Sequence, residues 1–497
     1  MKHTHRFAAL ILALLFLTSC GSAEVTSETT VGENSSADTV PEETETKAEY
    51  ISPDVTYDGA EFCILDYQTD DYFWQAATYS DIHADPDTGE PINDAQYKRN
   101  LTVEEELDIA LTTYPVGGVA RGDNAKVFRD LVMADEDTID AGFVFGTIVK
   151  TLLAEPNLLQ DIRSIPTMNP EASWWEAASV DTFTLGGELK MITGDVSLYT
   201  TFSPILYFFN KEVAAENNIT NCYDLVREGK WTLDKMIEYC TLVSSDLNGD
   251  GIMDQNDRYG IAHQRSLLND MIFAADQRFI MPDDKGNQQV VANCERMINI
   301  VEKCVPFLNN KDITIAANDY TSKYSNVFYE QHIPMFQNNQ LLFNFQQILI
   351  SFELREMEAD YGLMPQPKYD EAQEKYVTSI SHSWATLLCI PATNRIPEMT
   401  GHVLDALGYY SQLYVTPAFI DTTVRHKSLR DEDSEEMLEI ILASKVYDIA
   451  MMYNWGNLYS NIQNLGVSNN TGFASVYAKM ESAVLTDMEK ALAQLEG

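Results

Sequence analysis

Residues 246–257 carry oxygen-bearing side chains at a spacing that could bind a calcium ion. The segment reads DLNGDGIMDQND. Side-chain oxygens fall at its first, third, fifth, ninth and twelfth positions: Asp246, Asn248, Asp250, Asp254 and Asp257. Ile252 would offer its backbone carbonyl at the seventh position, and Gly251 stands at the sixth, where the chain must turn sharply. Four aspartates this close repel one another unless a cation neutralises them, so we expect a structural Ca²⁺ site.

This spacing resembles the calcium loops of EF-hand and dockerin domains, with Asp257 in place of the usual glutamate at the twelfth position. The single copy argues against a cellulosomal dockerin, which resembles a tandem pair. The alternative is an acidic surface loop that holds no metal. Extracellular loops of this kind bind calcium weakly, at about 10⁻⁴–10⁻³ M, and brace structure.

A second group of residues suits the binding of a sugar. Sugars present C–H faces that stack on aromatic rings, and hydroxyl groups that need paired donors and acceptors. The candidate aromatic residues are Trp384, Trp455, Trp74, Trp174 and Trp175. The candidate polar partners are Asp195, Asn338 and Ser383. The alternative role of each tryptophan is core packing, and that of Asp195 is a plain turn.

No catalytic motif accompanies these residues. The sequence has no GxSxG elbow, no HExxH and no P-loop, and its eight histidines do not cluster at metal-ligand spacing. A glycosidase needs two carboxylates at a defined separation, which the spacing of such abundant acidic residues cannot reveal. The formal net charge of −43 argues against nucleic acid or anionic lipid as a partner, because each phosphate contact needs Lys or Arg. We therefore expect a binding protein and not an enzyme.

The amino terminus has the pattern of a bacterial export signal. Two basic residues precede an apolar run at 7–17, which is too short for a permanent membrane span. The run ends in Leu-Thr-Ser-Cys, which resembles the lipobox of bacterial lipoproteins. That resemblance implies a signal peptide over 1–19 and a diacylglycerol group on the sulfur of Cys20. Residues 20–52, rich in Ser, Thr and Glu, then form a flexible acidic tether. An ordinary secretory peptide is the alternative.

Six further cysteines are scattered without a CxxC pair. They suit buried free thiols, although a disulfide between Cys222 and Cys240, or between Cys294 and Cys304, stays open.

The folded part begins with alternating strands and helices. Apolar runs and helical spacing predict strands at 61–67, 109–114 and 139–145, and helices at 94–107, 124–134 and from 147. This order predicts a largely parallel sheet, with ligand-binding loops after Tyr67 and Phe145. Further strands are expected at 204–210, 333–336, 361–364 and 385–390. Helices are expected from Lys211, after the capping residue Thr232, and at 435–447 and 476–495.

Three motifs in this order resemble the extracellular solute-binding proteins of bacterial ABC importers. They are Phe209-Asn210-Lys211 at a strand end, Trp231-Thr232-Leu233-Asp234 at a helix start, and Gly362-Leu-Met-Pro365-Gln-Pro367 in a late strand. The resemblance is closest to the maltose-binding-protein-like, carbohydrate-binding group, where a Tyr usually stands in place of Phe209. It covers roughly residues 55–495.

The resemblance implies a two-lobed α/β fold of the periplasmic-binding-protein type II, with hinged lobes built on mixed, largely parallel sheets flanked by helices. We expect lobe 1 to contain residues 53–198 and 345–385, and lobe 2 to contain 199–344 and 386–497, including the calcium-type loop. The chain should cross between lobes near 195–203, 344–350 and 382–390.

The function that this resemblance implies is that of an extracytoplasmic, lipid-anchored receptor. It would bind a small solute, an oligosaccharide by preference, and deliver it to the permease subunits of an ABC transporter. We expect a monomer. The alternatives are a surface glycan hydrolase and an adhesive or structural lipoprotein, and peptides or amino acids remain open as ligands.

Overall fold

The computed structural model describes residues 49–67, 79–116, 122–155, 157–283, 286–355, 357–424 and 432–495. The predicted signal peptide, Cys20, most of the tether and Trp74 lie outside these residues.

Fifteen strands are formed in the described part of the chain. They are β1 (Ala60–Tyr67), β2 (Ile109–Val116), β3 (Ala141–Phe145), β4 (Thr184–Leu185), β5 (Glu188–Leu189), β6 (Ile205–Asn210), β7 (Tyr259–His263), β8 (Ile280–Pro282), β9 (Gln288–Val290), β10 (Thr314–Ala316), β11 (Leu341–Gln347), β12 (Tyr361–Met364), β13 (Thr378–Ser379), β14 (Thr386–Cys389) and β15 (Lys445–Val446).

Seventeen α-helices lie between these strands in the described residues. They are α1 (Pro91–Leu107), α2 (Gly122–Met133), α3 (Gly146–Leu153), α4 (Ala177–Phe183), α5 (Leu198–Thr201), α6 (Lys211–Glu216), α7 (Cys222–Arg227), α8 (Leu233–Val243), α9 (Leu268–Ala274), α10 (Glu295–Leu308), α11 (Ile333–Gln337), α12 (Pro397–Tyr410), α13 (Thr416–Val424), α14 (Glu432–Ala443), α15 (Ile449–Tyr453), α16 (Leu458–Val467) and α17 (Phe473–Leu495).

The first large sheet has the strand order β14-β3-β1-β2. Strand β1 pairs in parallel with both β2 and β3, which confirms the predicted β-α-β-α-β unit. Strand β14 is added antiparallel to β3, with Thr386 opposite Phe145. All five residues of β3 are buried, as expected for a strand covered by helices on both faces.

The second large sheet has the order β10-β7-β11-β6-β12. Strands β10, β7 and β11 are parallel, whereas β6 is antiparallel to both β11 and β12. The predicted cap of α8 is confirmed, because the hydroxyl of Thr232 accepts a hydrogen bond from the backbone N–H of Lys235 at 3.3 Å.

Four features differ from the sequence-based expectations. The helix expected at 435–447 ends at Ala443, and Lys445–Val446 form strand β15. The strand predicted at 333–336 is wrong: these residues form helix α11, which continues a π-helical turn at Phe328–His332. Pro334 is compatible with this because it occupies the first turn of the helix, where a backbone N–H has no intrahelical partner. The short apolar run alone did not distinguish a buried helix from a strand.

The other two differences concern the expected lobe boundaries. Strand β12 belongs to the second sheet and β14 to the first, the reverse of the memberships expected for 345–385 and 386–497. The cause is the segment after β11, which forms a 3₁₀ turn at Ile348–Phe352 and returns to the second sheet as β12. Residues 344–350 therefore do not carry the chain to the first sheet.

All six cysteines in the described residues are free thiols, so neither suggested disulfide is formed. None of the helices in the described residues combines the length and apolar composition needed to span a lipid bilayer.

Candidate ligand-binding site

Three chain segments meet between the two large sheets. The backbone N–H of Ile348 donates to the carbonyl oxygen of Pro204 at 3.0 Å, and that of Ser381 donates to the carbonyl of Ser203 at 2.9 Å. The rings of Phe202 and Phe352 lie 5.5 Å apart. We call these segments, residues 199–204, 348–352 and 380–385, the inter-sheet junction. Two of them connect the sheets, near two of the three predicted crossings.

Both sheets turn their carboxyl edges towards this junction. In the first sheet, β3 ends at Phe145 opposite Thr386, the residue at which β14 begins on leaving the junction. In the second sheet, β11 ends at Gln347 opposite Ile205, where the chain enters β6 from the junction. Loops at the carboxyl ends of parallel strands are the usual ligand-binding positions of α/β sheets. The geometry therefore places a candidate site around the junction.

Trp384 is the aromatic residue that the junction presents most openly. Its ring is partly exposed and stacks on the ring of Tyr199, with centroids 5.9 Å apart and an interplanar angle of 5°. Tyr199 is buried, and its ring also lies 5.1 Å from that of Tyr67 and 6.0 Å from that of Phe145. The carboxyl ends of β1 and β3 thus support Trp384 through Tyr199.

The residues before Trp384 supply polar groups. His382 and Ser383 are partly exposed, and the Nδ1 atom of His382 lies 3.1 Å from the hydroxyl oxygen of Tyr459. The carbonyl of His382 accepts the backbone N–H of Thr147 at 3.1 Å. These contacts fix the segment against the start of α3, and Ser383 stays a predicted ligand residue.

A cavity of about 300 Å³ lies at the carboxyl edge of the second sheet. Its lining includes Gln264, directly after β7, and Asn318, shortly after β10. Arg265, which follows Gln264, donates two hydrogen bonds to the carboxylate of Asp319, at 2.8 Å and 2.7 Å. No sequence pattern above predicted this cavity, although the polar segment His-Gln-Arg at the end of a buried strand was a usable signal.

Three other predicted ligand residues lie together at a cavity that Thr200 and Thr201 of the junction also line. Trp174, Trp175 and Asp195 line a cavity of about 200 Å³, which Glu176 and Lys445 also line as an ion pair. The ring nitrogens of both tryptophans donate to one oxygen of Asp405, at 3.1 Å and 2.8 Å. Both tryptophans are buried. These features suit packing residues, and their ligand role stays a prediction.

The carboxylate of Asp195 is also engaged by the protein. It accepts the hydroxyl of Thr416 at 2.6 Å and the side-chain amide of Gln412 at 3.1 Å. Burial raises the pKa of Asp195, and these two donors oppose the rise.

The last two predicted residues stand apart from this cavity. Trp455 is buried against Tyr453, at a ring distance of 4.7 Å, in a turn whose Gly456 amide binds Asp487 of α17. Asn338 is exposed, and its side-chain amide donates to the carbonyl of Pro334 at 2.8 Å, which closes the end of α11. A ligand role of either residue remains a prediction.

The calcium-type loop lies between α8 and β7. The two oxygens of Asp246 accept the backbone amides of Gly249 and Gly251 at 2.6 Å and 2.7 Å. Those amides lower the pKa of Asp246, Gly251 first. Asp257 is buried and accepts the amides of Leu247 and Asp254. Among the described residues, no three His, Cys, Asp or Glu side chains are grouped so that they could hold a metal ion, and calcium binding stays a prediction.

Comparison with known proteins identifies the fold. No protein-family model matches the sequence, and no curated relative matches it either. Solved structures do match. The sugar-binding protein MalE from the phytopathogen Xanthomonas citri superimposes with a TM-score of 0.57 at 13% identity, over 88% of this chain and 99% of that one.

Two further structures show the same similarity. The galacto-N-biose-/lacto-N-biose I-binding protein of the ABC transporter from Bifidobacterium longum, in complex with lacto-N-biose, gives a TM-score of 0.57 at 11% identity, over 88% and 98% of the two chains. UgpB from Mycobacterium tuberculosis, in complex with glycerophosphocholine, gives 0.54 at 11% identity, over 87% and 98%. The chain therefore has the two-lobed α/β fold of type II periplasmic binding proteins. Within that class its fold is the one found in MalE-like solute-binding proteins.

Proposed function

We propose that this protein is an extracytoplasmic receptor that binds an oligosaccharide between its two lobes and delivers it to the permease of an ABC importer. The observation that carries the proposal is the partly exposed ring of Trp384, stacked on Tyr199 where both carboxyl edges meet. Two of the solved structures with the same fold are sugar-binding proteins by their own descriptions, which supports the choice of ligand class.

The chemistry of the junction favours an uncharged, hydroxyl-rich solute. Trp384 offers an apolar ring surface for the C–H face of a sugar. The cavity at the carboxyl edge of the second sheet adds amide groups from Gln264 and Asn318, which can both donate to and accept from hydroxyl groups. The net charge of −43 would weaken the binding of an anionic ligand. We propose that the receptor is held at the membrane by a lipid on Cys20.

Isothermal titration with a panel of oligosaccharides tests this function. The panel includes maltotetraose and lacto-N-biose, with glycerophosphocholine as a ligand outside the saccharides. We expect one saccharide to bind. Chromatography of that saccharide after long incubation with the protein should show that it has not been cleaved. Release of a shorter sugar would instead identify the protein as a hydrolase, and binding of glycerophosphocholine alone would reject the saccharide assignment.

Variants of Trp384 link binding to the junction. Trp384→Ala should weaken saccharide binding by about 2 kcal/mol, roughly thirtyfold, because it removes the stacking surface. Trp384→Phe keeps an aromatic face and should retain most of the affinity. Trp231→Phe is the matched control, since that buried ring packs on Phe343 and is not a predicted ligand residue. Full affinity in Trp384→Ala would remove this residue from the site.

A further inference from the structure

Behind the stacked rings lies a pair of buried carboxylates. Asp66 lies in β1, and Asp81 lies between β1 and α1. Both residues are buried. Asp66 accepts four hydrogen bonds: from the hydroxyl of Ser80 and from the backbone amides of Tyr67, Ile82 and His83. These donors belong to the end of β1 and to residues 80–83.

Asp81 is bonded differently, because its donors belong to the elements around the binding site, and the hydroxyl of Thr386 at the start of β14 is a further group that lowers its pKa. One carboxylate oxygen accepts the backbone N–H of Tyr199 at 3.1 Å, and the other accepts the hydroxyl of Tyr67 at 3.1 Å. Tyr199 carries the ring under Trp384, and the ring of Tyr67 lies 5.1 Å from that of Tyr199. One carboxylate therefore joins the end of β1 to the junction.

The charged and titratable groups around Asp81, among the described residues, are Asp66, Tyr67, Tyr199 and Arg99. Arg99 is buried, and its guanidinium binds the carbonyl oxygen of Asp81 at 3.0 Å, not its carboxylate. Among these groups, Arg99 is therefore the one buried cation whose charge acts on the carboxylates of both Asp66 and Asp81. Burial, and next the charge of Asp66, raise the pKa of Asp81 to about 7. Protonation of Asp81 therefore falls in the range of ordinary environmental pH.

We propose that Asp81 is a positioning residue of the binding site, whose carboxylate holds Tyr199 beneath Trp384, so that protonation of Asp81 loosens this support and lowers solute affinity. The ionised carboxylate accepts from both donors at once. Protonation removes the charge, so both charge-assisted hydrogen bonds become neutral ones, which are about half as strong. The lowered solute affinity rests on the proposed function, whereas the loosened support of the Trp384 ring does not.

A ligand-free experiment tests the positioning first. Tryptophan fluorescence is recorded between about pH 5.5 and 8.5, and the signal of Trp384→Phe is subtracted to isolate Trp384. We expect a transition with a midpoint near 7 in the wild-type protein that is absent in Asp81→Asn. Asp140→Asn is the matched control. Asp140 is another lobe 1 carboxylate whose burial raises its pKa to about 6, but it binds the amide of Cys63.

Tyr67→Phe provides a second variant if Asp81→Asn fails to fold. It removes one of the two donors that stabilise the charged form, so the midpoint should move to higher pH. If Asp81 had only a structural role, Tyr67→Phe would not shift the midpoint of the Trp384 fluorescence transition. A flat wild-type signal over this range, or an identical transition in Asp81→Asn, would overturn the proposal.

Binding of the panel's tightest saccharide gives the second readout. We expect about fivefold weaker binding at the acidic end of the range, the equivalent of one hydrogen bond of about 1 kcal/mol. In Asp81→Asn the affinity should not depend on pH over this range. If that variant lost affinity in acid as the wild-type protein does, the link between Asp81 and affinity would be contradicted. If no saccharide binds, the proposed function fails while the fluorescence result still decides the role of Asp81.

Discussion

Gly146 and His382 are in such close contact that a β-carbon at Gly146 would lie 2.8 Å from the carbonyl oxygen of His382. Gly146 begins α3, directly after β3, and its amide donates to the carbonyl of Ala385 at 3.0 Å. The segment that carries Trp384 is therefore seated on a position where no side chain fits.

This contact predicts that Gly146→Ala displaces the junction. Backbone is the obstacle, so the substitution should lower the free energy of unfolding by about 1–3 kcal/mol and weaken saccharide binding as well. Chemical denaturation and titration calorimetry measure the two effects. Gly472→Ala is the control: Gly472 is exposed, and only the side chain of Asn470 lies close to it. Equal stability of the two variants would show that the segment adapts freely.

The calcium-type loop predicts stabilisation by metal. At about 10 mM Ca²⁺ and a dissociation constant of about 10⁻⁴–10⁻³ M, mass action adds about 1.4–2.7 kcal/mol to the free energy of unfolding. Thermal denaturation with Ca²⁺ and with EDTA measures this difference.

Asp246→Asn combined with Asp250→Asn should abolish that difference. Glu371→Gln combined with Glu374→Gln makes the same charge change on an exposed segment and should preserve it. Identical melting curves of the wild-type protein in calcium and in EDTA would refute the metal site.

Two buried histidines predict a loss of stability in acid. Burial lowers the pKa of His263 to about 4 and that of His332 to about 3. The unfolded chain takes up protons below about pH 6.5, and the folded protein does not, so stability is complete above that pH and falls towards pH 4. For His263 the loss amounts to at most about 3 kcal/mol.

His263→Gln should therefore reduce the difference in unfolding free energy between about pH 7 and pH 4.5, measured with urea. Comparison within each variant removes the cost of the substitution itself. His83→Gln is the control, since the His83 side chain is 64% exposed. A wild-type pH slope in His263→Gln would exclude this histidine as a source of acid sensitivity.

The amino-terminal cysteine predicts the mode of attachment. Cys20→Ser removes the only sulfur that the lipobox resemblance assigns to diacylglycerol, so the protein should pass from the detergent phase to the aqueous phase in Triton partitioning. Cys63→Ser, at a partly buried free thiol, should leave partitioning unchanged. Detergent-phase recovery of Cys20→Ser would disprove lipidation at this residue.

Local patterns predicted much of the fold. The β-α-β-α-β unit through β3 was confirmed because buried strands and amphipathic helices each leave a periodic pattern within a few residues. The strand predicted at 333–336 was wrong because a four-residue apolar run fits either a strand or a buried helix. The arrangement of the site was not predictable in the same way. Tyr199 lies in a stretch of mixed polar and apolar residues, and nothing near it in sequence indicates that Trp384 stacks upon it.

The amino-acid sequence by itself predicted the β-α-β-α-β unit, the acidic character and the resemblance to solute-binding proteins, because these depend on residue type and short-range spacing. Only the tertiary structure decided that β12 belongs with β6 and β14 with β3, and that Asp81 supports Tyr199. Such contacts join residues more than one hundred positions apart. They depend on which backbone hydrogen bonds and buried surfaces are satisfied across the whole fold, and no local pattern records that choice.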